Sequence, residues 1–287
     1  MNLRKFIPSV QIHPILMIFI IISFVTGTFV ELSVILLIVL FHELGHFMMA
    51  AFFNWRIKSV MLWVFGGVMD TEEHASKPLH EEVLVIIAGP FQHIIVYVLV
   101  FLMSSLQLFS SSIIDLLLFY NTVLLCFNLL PIWPLDGGKL LFSILSIFFP
   151  YKRAFTSVII FSIIVTILCI VVQLFIIPFT LSSLLVVMFL LMENRTEWKQ
   201  RFYVFIRFLL KRFEDRPPPK LVQPIIVSHQ ASLMDVFNEF KRDRSHPIYV
   251  TYSANKRKSI DEMECLRSYF YNKHYNKSIG EIVDLIA

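Results

Sequence analysis

Residues 42–46 read His-Glu-Leu-Gly-His, a spacing that suits metal-dependent hydrolysis. On a helix, positions i and i+4 lie on one face, so His42 and His46 can bind the same metal ion. Glu43 lies beside the first histidine and can act as a general base on water that the metal activates. The pattern predicts a zinc hydrolase. A chance match is the alternative, expected in about one of a hundred chains with these His and Glu frequencies.

The third ligand of the predicted metal site should be another His, Asp or Glu, because catalytic zinc takes three protein ligands and keeps one position open. Asp136 and Glu43 are the two carboxylates that lie far from the ends of the apolar segments, where a charge is costly and is a functional candidate. Prolines and glycines prevent residues 128–138 from forming a regular helix. Irregular backbone at membrane depth lines a cavity, so we expect Asp136 to reach the metal. An N-cap for a helix over 138–149 is its alternative role, and that role does not exclude metal binding.

Apolar segments make up most of the chain. Of its 287 residues, 57% are hydrophobic and only 16% are charged, whereas ordinary globular chains are about a quarter charged. This composition excludes a single soluble domain, a disordered chain and a coiled coil. The chain has three Cys and no C-x-x-C pattern, which excludes a disulfide framework and a thiolate zinc site.

We interpret six apolar segments as crossings of the hydrocarbon core, which takes about 20 apolar residues, and the last of them is short. Basic residues flank these segments on one side only, which predicts that both termini are cytoplasmic. A signal peptide is the alternative for the first segment, but no small-residue cleavage signal follows it, so we interpret it as an anchor. The fourth segment continues, interrupted, to about residue 149. The predicted crossings are about 12–30, 33–53, 82–108, 112–134, 155–177 and 179–194.

Two regions follow the predicted membrane domain, residues 1–194. Residues 195–219 combine a basic, aromatic stretch with Pro217–Pro219, which predicts an amphipathic helix on an anionic membrane surface and then a stiff spacer. The frayed end of the sixth crossing is the alternative. Residues 220–287 contain two strand patterns and helices that open in capping boxes. The predicted fold class is therefore a mostly α, polytopic membrane protein with a C-terminal cytoplasmic α/β domain.

The His-Glu-Leu-Gly-His motif, followed in a later crossing by Asn-x-x-Pro-x-x-Pro-Leu-Asp-Gly-Gly, resembles the site-2 protease family of intramembrane zinc metalloproteases. The resemblance covers residues 30–150 well and the other crossings loosely. It implies one zinc ion per chain, bound by His42, His46 and Asp136. It also implies that Glu43 is the catalytic base of an endopeptidase.

The α/β domain resembles a single cystathionine-β-synthase (CBS) module, a type of module that binds adenine nucleotides and pairs. ATP and a homo-oligomer are therefore expected, although no residue can be assigned to the nucleotide. Six crossings with one such module resemble the stage IV sporulation proteases within the family. That layout implies a membrane-associated substrate, the precursor of the sporulation sigma factor sigma-K, with inhibitory membrane partners in the mother-cell membrane around the forespore. Basic runs at 241–244 and 256–258 are interpreted as solvated loops rather than nucleic-acid contacts.

Three further residues are candidates for substrate binding. Gly66 and Gly67 lie in a stretch that resembles the family's re-entrant β-hairpin, whose edge can pair with an extended substrate; an interfacial loop is the alternative. Asn128 is a candidate for orienting the substrate or its oxyanion, with a structural role as the alternative. Residues 88–90 match the family's Ala-Gly-Pro, but the family's Asn three residues later is His93 here. We interpret His93 as a core residue or as a support for a ligand, rather than as a ligand.

Two rival functions remain open at this point. A nonenzymatic metal transporter or sensor, gated by the C-terminal module, would use the same His and Asp ligands without needing Glu43 as a base. A membrane-anchored zinc protease that cuts soluble proteins would take its third ligand from a separate Glu-bearing helix, and none stands out. Serine and aspartate intramembrane proteases are excluded, because the patterns G-x-S-G and G-x-G-D do not occur.

Overall fold

The structure is a computed structural model. It describes residues 9–12, 14–62, 67–71, 77–175, 181–215, 221–252 and 256–286. The chain is mainly helical and divides into two compact units, Met1–Leu140 and Leu141–Ala287. This division falls earlier in the chain than the boundaries near 194 and 219 that the sequence suggests, and those boundaries stay predictions.

The helices of the first unit follow the apolar segments of the sequence. The first two helices are separated by a turn at Gly27, whose φ of 74° lies in the left-handed region that favours glycine. The helices are α1 (Pro14–Thr26), α2 (Phe29–Phe52), α3 (Leu79–Ser105), α4 (Ser111–Asn128) and α5 (Asp136–Phe148), which continues into the second unit.

A small sheet accompanies these helices. Its strands are β1 (Ser9–Ile12), β2 (Ile57–Leu62) and β3 (Gly67–Thr71), in the order β1-β2-β3. The strand β1 is parallel to β2, and β2 is antiparallel to β3. The predicted hairpin therefore exists as β2 and β3. Gly67 is the first residue of β3, whereas Gly66 lies outside the described residues.

Not all of the six predicted crossings are confirmed. Within the described ranges, four helices are long and apolar enough to cross a membrane: α2, α3, α4 and α6 (Tyr151–Phe175). The first predicted crossing is only the 13-residue α1, too short to span alone. The sixth is the start of α7 (Leu181–Asp215), a continuous helix of 35 residues that acquires charged side chains from Glu193 onward. The predicted interruption of the fourth crossing lies between the end of α4 and the start of α5.

The core of the first unit lies between α2 and its two neighbouring helices. On one side, Ile38 and Val39 of α2 pack with Leu124 of α4. On the other side, a Cβ placed on Gly45 would lie 2.4 Å from the carbonyl oxygen of Ala88 in α3. Only glycine permits such a close approach, so this residue lets α2 and α3 pack backbone to backbone.

The second unit joins two long helices, α6 and α7, to a small α/β part. Three of its strands form a sheet in the order β5-β7-β8, in which β7 is parallel to β5 and antiparallel to β8. Two shorter strands, β4 and β6, pair in parallel. The elements are β4 (Leu221–Val222), β5 (Ile225–Ser228), α8 (Leu233–Phe237), β6 (Arg244–Ser245), β7 (Ile248–Thr251), β8 (Arg257–Ile260), α9 (Glu262–Phe270) and α10 (Ile279–Ile286).

Local capping explains where the short helices of the α/β part begin. The Ser232 hydroxyl accepts a hydrogen bond from the Asp235 amide, and the Asp235 carboxylate accepts one from the Ser232 amide. Asp261 and Glu264 form a second capping box at the start of α9. These contacts support the predicted α/β character of this part of the chain.

The basic stretch after the sixth apolar segment is the second half of α7 rather than a separate helix. Its apolar side chains Phe205, Phe208 and Leu209 are buried, and the Phe208 ring stacks on Tyr151 of α6 with a centroid separation of 4.1 Å. Side chains that were expected to enter the lipid headgroups are thus buried within the second unit, because α6 packs against the same face of α7.

A buried ion pair connects the end of α7 to the α/β part. Arg212 donates to both carboxylate oxygens of Glu262, at 2.7 and 2.9 Å, and to the carbonyl of Lys241. Glu262 also accepts the His246 amide at 2.7 Å. Burial lowers the pKa of His246, so its neutral ring donates to the carbonyl of Gln223 and accepts the Lys241 amide. Removing one partner of a buried ion pair costs about 3–5 kcal/mol, because the other charge is then left buried without its partner. The predicted spacer Pro217–Pro219 lies outside the described residues.

Candidate metal centre

Helix α2 carries the first two predicted ligands. His42 and His46 are one helical turn apart, both are buried, and their Nε2 atoms lie 3.0 Å from each other. The rings meet because side chains at i and i+4 share one face of a helix. Glu43 is buried on the same helix, with Oε1 4.0 Å from His42 Nε2.

The third predicted ligand arrives from the start of α5. Asp136 is the first residue of that helix, and its Oδ2 lies 3.1 Å from both His42 Nε2 and His46 Nε2. Two glycines make this placement possible. A Cβ on Gly137 would lie 2.2 Å from the Leu129 carbonyl oxygen, and one on Gly138 would lie 2.6 Å from that of Ile132. Any larger side chain would push α5 away from the turn before it.

The donor set fits a divalent metal ion of the zinc type. In a tetrahedral zinc site with bonds of about 2.0–2.2 Å, ligand atoms lie about 3.3–3.6 Å apart. The three ligand atoms of His42, His46 and Asp136 are separated by 3.0–3.1 Å. Asp136 Oδ2 is buried, and no hydrogen bond of acceptable geometry reaches it. A buried carboxylate oxygen requires a partner, and a cation bound between the three atoms would provide it.

The outer nitrogen of each imidazole has a hydrogen-bond partner. His46 Nδ1 lies 2.8 Å from the carbonyl oxygen of Val85 on α3. A carbonyl only accepts, so Nδ1 carries the hydrogen and the lone pair on Nε2 faces the cluster. His42 Nδ1 lies 3.1 Å from Nε2 of His93, also on α3. His93 therefore lies outside the cluster of three ligand atoms. It contacts His42 through Nδ1, the ring nitrogen that points away from that cluster.

Lys139 is a site residue that sequence reasoning missed. Its Nζ donates to the other carboxylate oxygen of Asp136, Oδ1, at 3.4 Å. This contact leaves Oδ2 as the oxygen that faces the histidines. A lysine three residues after an aspartate at a helix start was a visible signal, since positions i and i+3 share a helix face. The contributions of the Val85 carbonyl and of Asn121, which contacts His93, have no comparable signal in the sequence.

The remaining predicted site residues occupy two other places. Asn128 is buried at the last residue of α4, before the turn that leads to Asp136. Gly67 begins the outer strand of the small sheet. Both belong to the same unit as the histidine–aspartate cluster, and their roles remain predictions.

Gly89 on α3 permits the two histidine rings to occupy their positions. A Cβ there would lie 2.2 Å from His46 Nε2 and 2.8 Å from His42 Cε1. We expect Gly89→Ala to displace both rings and to weaken zinc binding by about 10–100-fold, the effect of losing a partner that orients a metal ligand. Competition with a chromogenic chelator measures this affinity. Ile87→Ala, at an exposed position of the same helix, is the control and should bind zinc normally. Wild-type affinity in Gly89→Ala would show that the rings do not need this space.

The chain combines long apolar helices with a buried cluster of two histidines and a carboxylate, and a glutamate lies beside this cluster. Together these features define an integral membrane protein of the metallohydrolase class. Comparisons with known proteins agree with this class. The sequence model of peptidase family M50 matches residues 30–112 and 104–172. Stage IV sporulation protein FB of Bacillus subtilis (strain 168) is 40% identical over 277 residues, which cover 96% of each chain.

Two further comparisons match this chain in part. A zinc metalloprotease of Methanocaldococcus jannaschii is 33% identical over 121 residues, 40% of this chain and 34% of that protein. Among solved structures, the site-2 protease from Methanocaldococcus jannaschii has a similar fold, with a TM-score of 0.53 and 23% identity. That similarity covers 66% of this chain and 89% of the other.

The chain belongs to peptidase family M50, the site-2 proteases. It is an intramembrane zinc metalloendopeptidase, and the predicted family resemblance is confirmed. Membership in a peptidase family favours the enzyme over the transporter or sensor that the sequence alone left open.

Proposed function

We propose that His42, His46 and Asp136 bind the zinc ion of this endopeptidase and that Glu43 is its catalytic base. The observation that carries the proposal is the convergence of three buried ligand atoms, from two separate helices, to separations of 3.0–3.1 Å. Glu43, at 4.0 Å from one of these atoms, is the acidic side chain next to the cluster that is left for proton transfer.

The chemistry follows from these positions. A bound zinc ion supplies a Lewis acid that lowers the pKa of water and polarises a peptide carbonyl. The Glu43 carboxylate accepts a proton from the water molecule as the water oxygen attacks the carbonyl carbon. The same carboxyl group then donates this proton to the amide nitrogen as the C–N bond breaks, which returns Glu43 to its charged form.

Asn128 and the small sheet complete the proposed substrate site. An amide side chain can donate a hydrogen bond to the oxyanion that develops on the carbonyl, and we assign this role to Asn128. In the described ranges, β3 pairs with β2 on one side only, so its outer edge can accept an extended substrate strand. Gly67, at the start of β3, has no side chain that would obstruct such a strand. Gly66 belongs to the same proposal by its position in the sequence.

The substrate is proposed to be a membrane-associated precursor protein that is cut near the cytoplasmic side. The similarity over nearly the whole chain to a sporulation protein supports the precursor of sigma-K, in the mother-cell membrane around the forespore. The one-sided distribution of basic residues supports cytoplasmic termini. Inhibitory membrane partners and a homo-oligomer belong to the same proposal.

The C-terminal part is proposed to be a CBS-like module that regulates the protease. The β5-α8-β6-β7-β8-α9 succession, with its parallel and antiparallel strand pairs, supports an α/β module of this kind. Its contact with α7 through Arg212 and Glu262 provides a physical connection to a long helix of the same unit. ATP is the ligand that we propose for it by resemblance.

Co-expression in a host without sporulation genes tests the substrate. We expect the sigma-K precursor to be shortened when the full-length chain is present, because the precursor supplies the membrane-associated segment that the site would cut. Immunoblotting of the precursor measures the product, and a precursor without its pro-segment is the control that should stay unchanged. An uncut precursor, in membranes whose protease binds zinc and cuts another membrane-anchored protein, would contradict the proposed substrate but not the proposed chemistry.

A further inference from the structure

Two buried polar side chains extend from the metal centre into the helix packing. His93 of α3 is 1% exposed and Asn121 of α4 is 0% exposed. His93 Nε2 lies 3.1 Å from His42 Nδ1, and His93 Nδ1 lies 2.8 Å from Asn121 Oδ1. Asn121 Nδ2 also donates to the backbone carbonyl of His93 at 3.1 Å. A continuous chain of hydrogen bonds therefore connects α4 through α3 to a proposed ligand on α2.

The direction of each bond in this chain is determined by the one before it. Because Asn121 Nδ2 donates to a carbonyl, its Oδ1 is the atom that faces His93, and this oxygen can only accept. His93 Nδ1 must therefore carry the hydrogen, which leaves the lone pair of the neutral ring on Nε2. That lone pair accepts from His42 Nδ1, so the lone pair of His42 Nε2 faces Asp136.

We propose that His93, held by Asn121, is the positioning residue that fixes the tautomer and ring orientation of the ligand His42. This inference rests on the proposed metal centre. The two ligand histidines have different hydrogen-bond partners: His46 is oriented by the backbone carbonyl of Val85, whereas His42 is oriented by the side chain of His93. The His93 imidazole supplies a hydrogen-bond acceptor that is itself oriented by Asn121.

Substitutions of His93 in the purified full-length protein test the proposal. His93→Leu removes the acceptor, and we expect zinc affinity to fall by about 10–100-fold, as it does when the partner of a ligand histidine is lost. His93→Gln offers an amide oxygen that can accept from His42 Nδ1, so it should restore affinity to within a few fold of wild type. Ile94→Ala, exposed on the same helix, should have no effect. Chelator competition gives the affinities.

Cobalt substitution gives a second readout that loss of packing alone would not change. The visible absorption of bound Co²⁺ reports ligand geometry, so His93→Leu should alter the spectrum, while His93→Gln should resemble wild type. Wild-type zinc affinity and an unchanged cobalt spectrum in His93→Leu would overturn the proposal. If His93→Leu does not fold, Asn121→Leu decides: it should weaken zinc binding, and unchanged binding would overturn the proposal.

The metal centre itself is tested separately in the same assay. His42→Ala and His46→Ala should lose zinc. If both keep it, the proposed centre fails. If both lose zinc while His93→Leu keeps wild-type affinity, only the positioning role fails.

Discussion

Glu43→Gln is expected to leave zinc bound while cleavage falls by about 10²–10⁴-fold, the contribution of a general acid–base group. Gln keeps the size of the side chain and cannot accept the proton from water. Glu43 lies beside the three ligand atoms rather than among them, so zinc affinity should change little. Helix α2 should persist, because Gln is nearly as good a helix former as Glu. Zinc content and cleavage are measured on the same purified sample.

The matched control for this experiment lies on the same helix. Glu31 is in the first turn of α2, away from the cluster, and Glu31→Gln should retain both zinc and cleavage. Full cleavage by Glu43→Gln would contradict the proposed mechanism. Loss of zinc from Glu43→Gln would instead show that this carboxylate holds the metal or the local structure.

Asp136→Ala is expected to abolish stable zinc binding, and cleavage with it. The carboxylate is one of only three proposed protein ligands. It is the one that comes from α5, and its Oδ2 lies 3.1 Å from the Nε2 atoms of both histidines of α2. Losing it should weaken affinity by more than the 10–100-fold that accompanies loss of an outer partner. Elemental analysis of the purified protein gives the zinc content. Asp136→Asn should retain part of the metal, since an amide oxygen coordinates weakly.

A second aspartate provides the control for charge loss. Asp115 is exposed on α4, and Asp115→Asn should bind zinc as wild type does. Full zinc content in Asp136→Ala would remove Asp136 from the metal centre and leave the histidines in need of another ligand.

The histidine pair was predictable because its geometry is local. Residues His42 and His46 meet on one face wherever the segment between them is helical, and the apolar sequence around them favours a helix. Asp136 was predictable for a different reason: proline and glycine mark an interrupted segment, and such backbone lines a cavity. Gly137 and Gly138 are indeed the residues that let the start of α5 approach the preceding turn.

The number of crossings was less predictable, because hydropathy reports composition and not helix length. The first apolar segment contains only the short α1. The sixth runs without interruption into the basic stretch to form α7. Burial of Phe205, Phe208 and Leu209 depends on which neighbour packs against this helix, and an amphipathic pattern alone does not distinguish a lipid surface from a protein surface.

The sequence by itself determined the class of the protein, its metal ligands as candidates and its catalytic base as a candidate, since each depends on residue type and short spacing. The tertiary structure decided which groups orient the candidate ligands by hydrogen bonds. The Val85 carbonyl, His93 and Asn121 come from other helices, and their contacts depend on how α3 and α4 are rotated about their axes. Gly45 and Gly89 allow α2 and α3 to pack closely. Hydrogen bonds between residues far apart in the chain require that packing, and no local pattern specifies it.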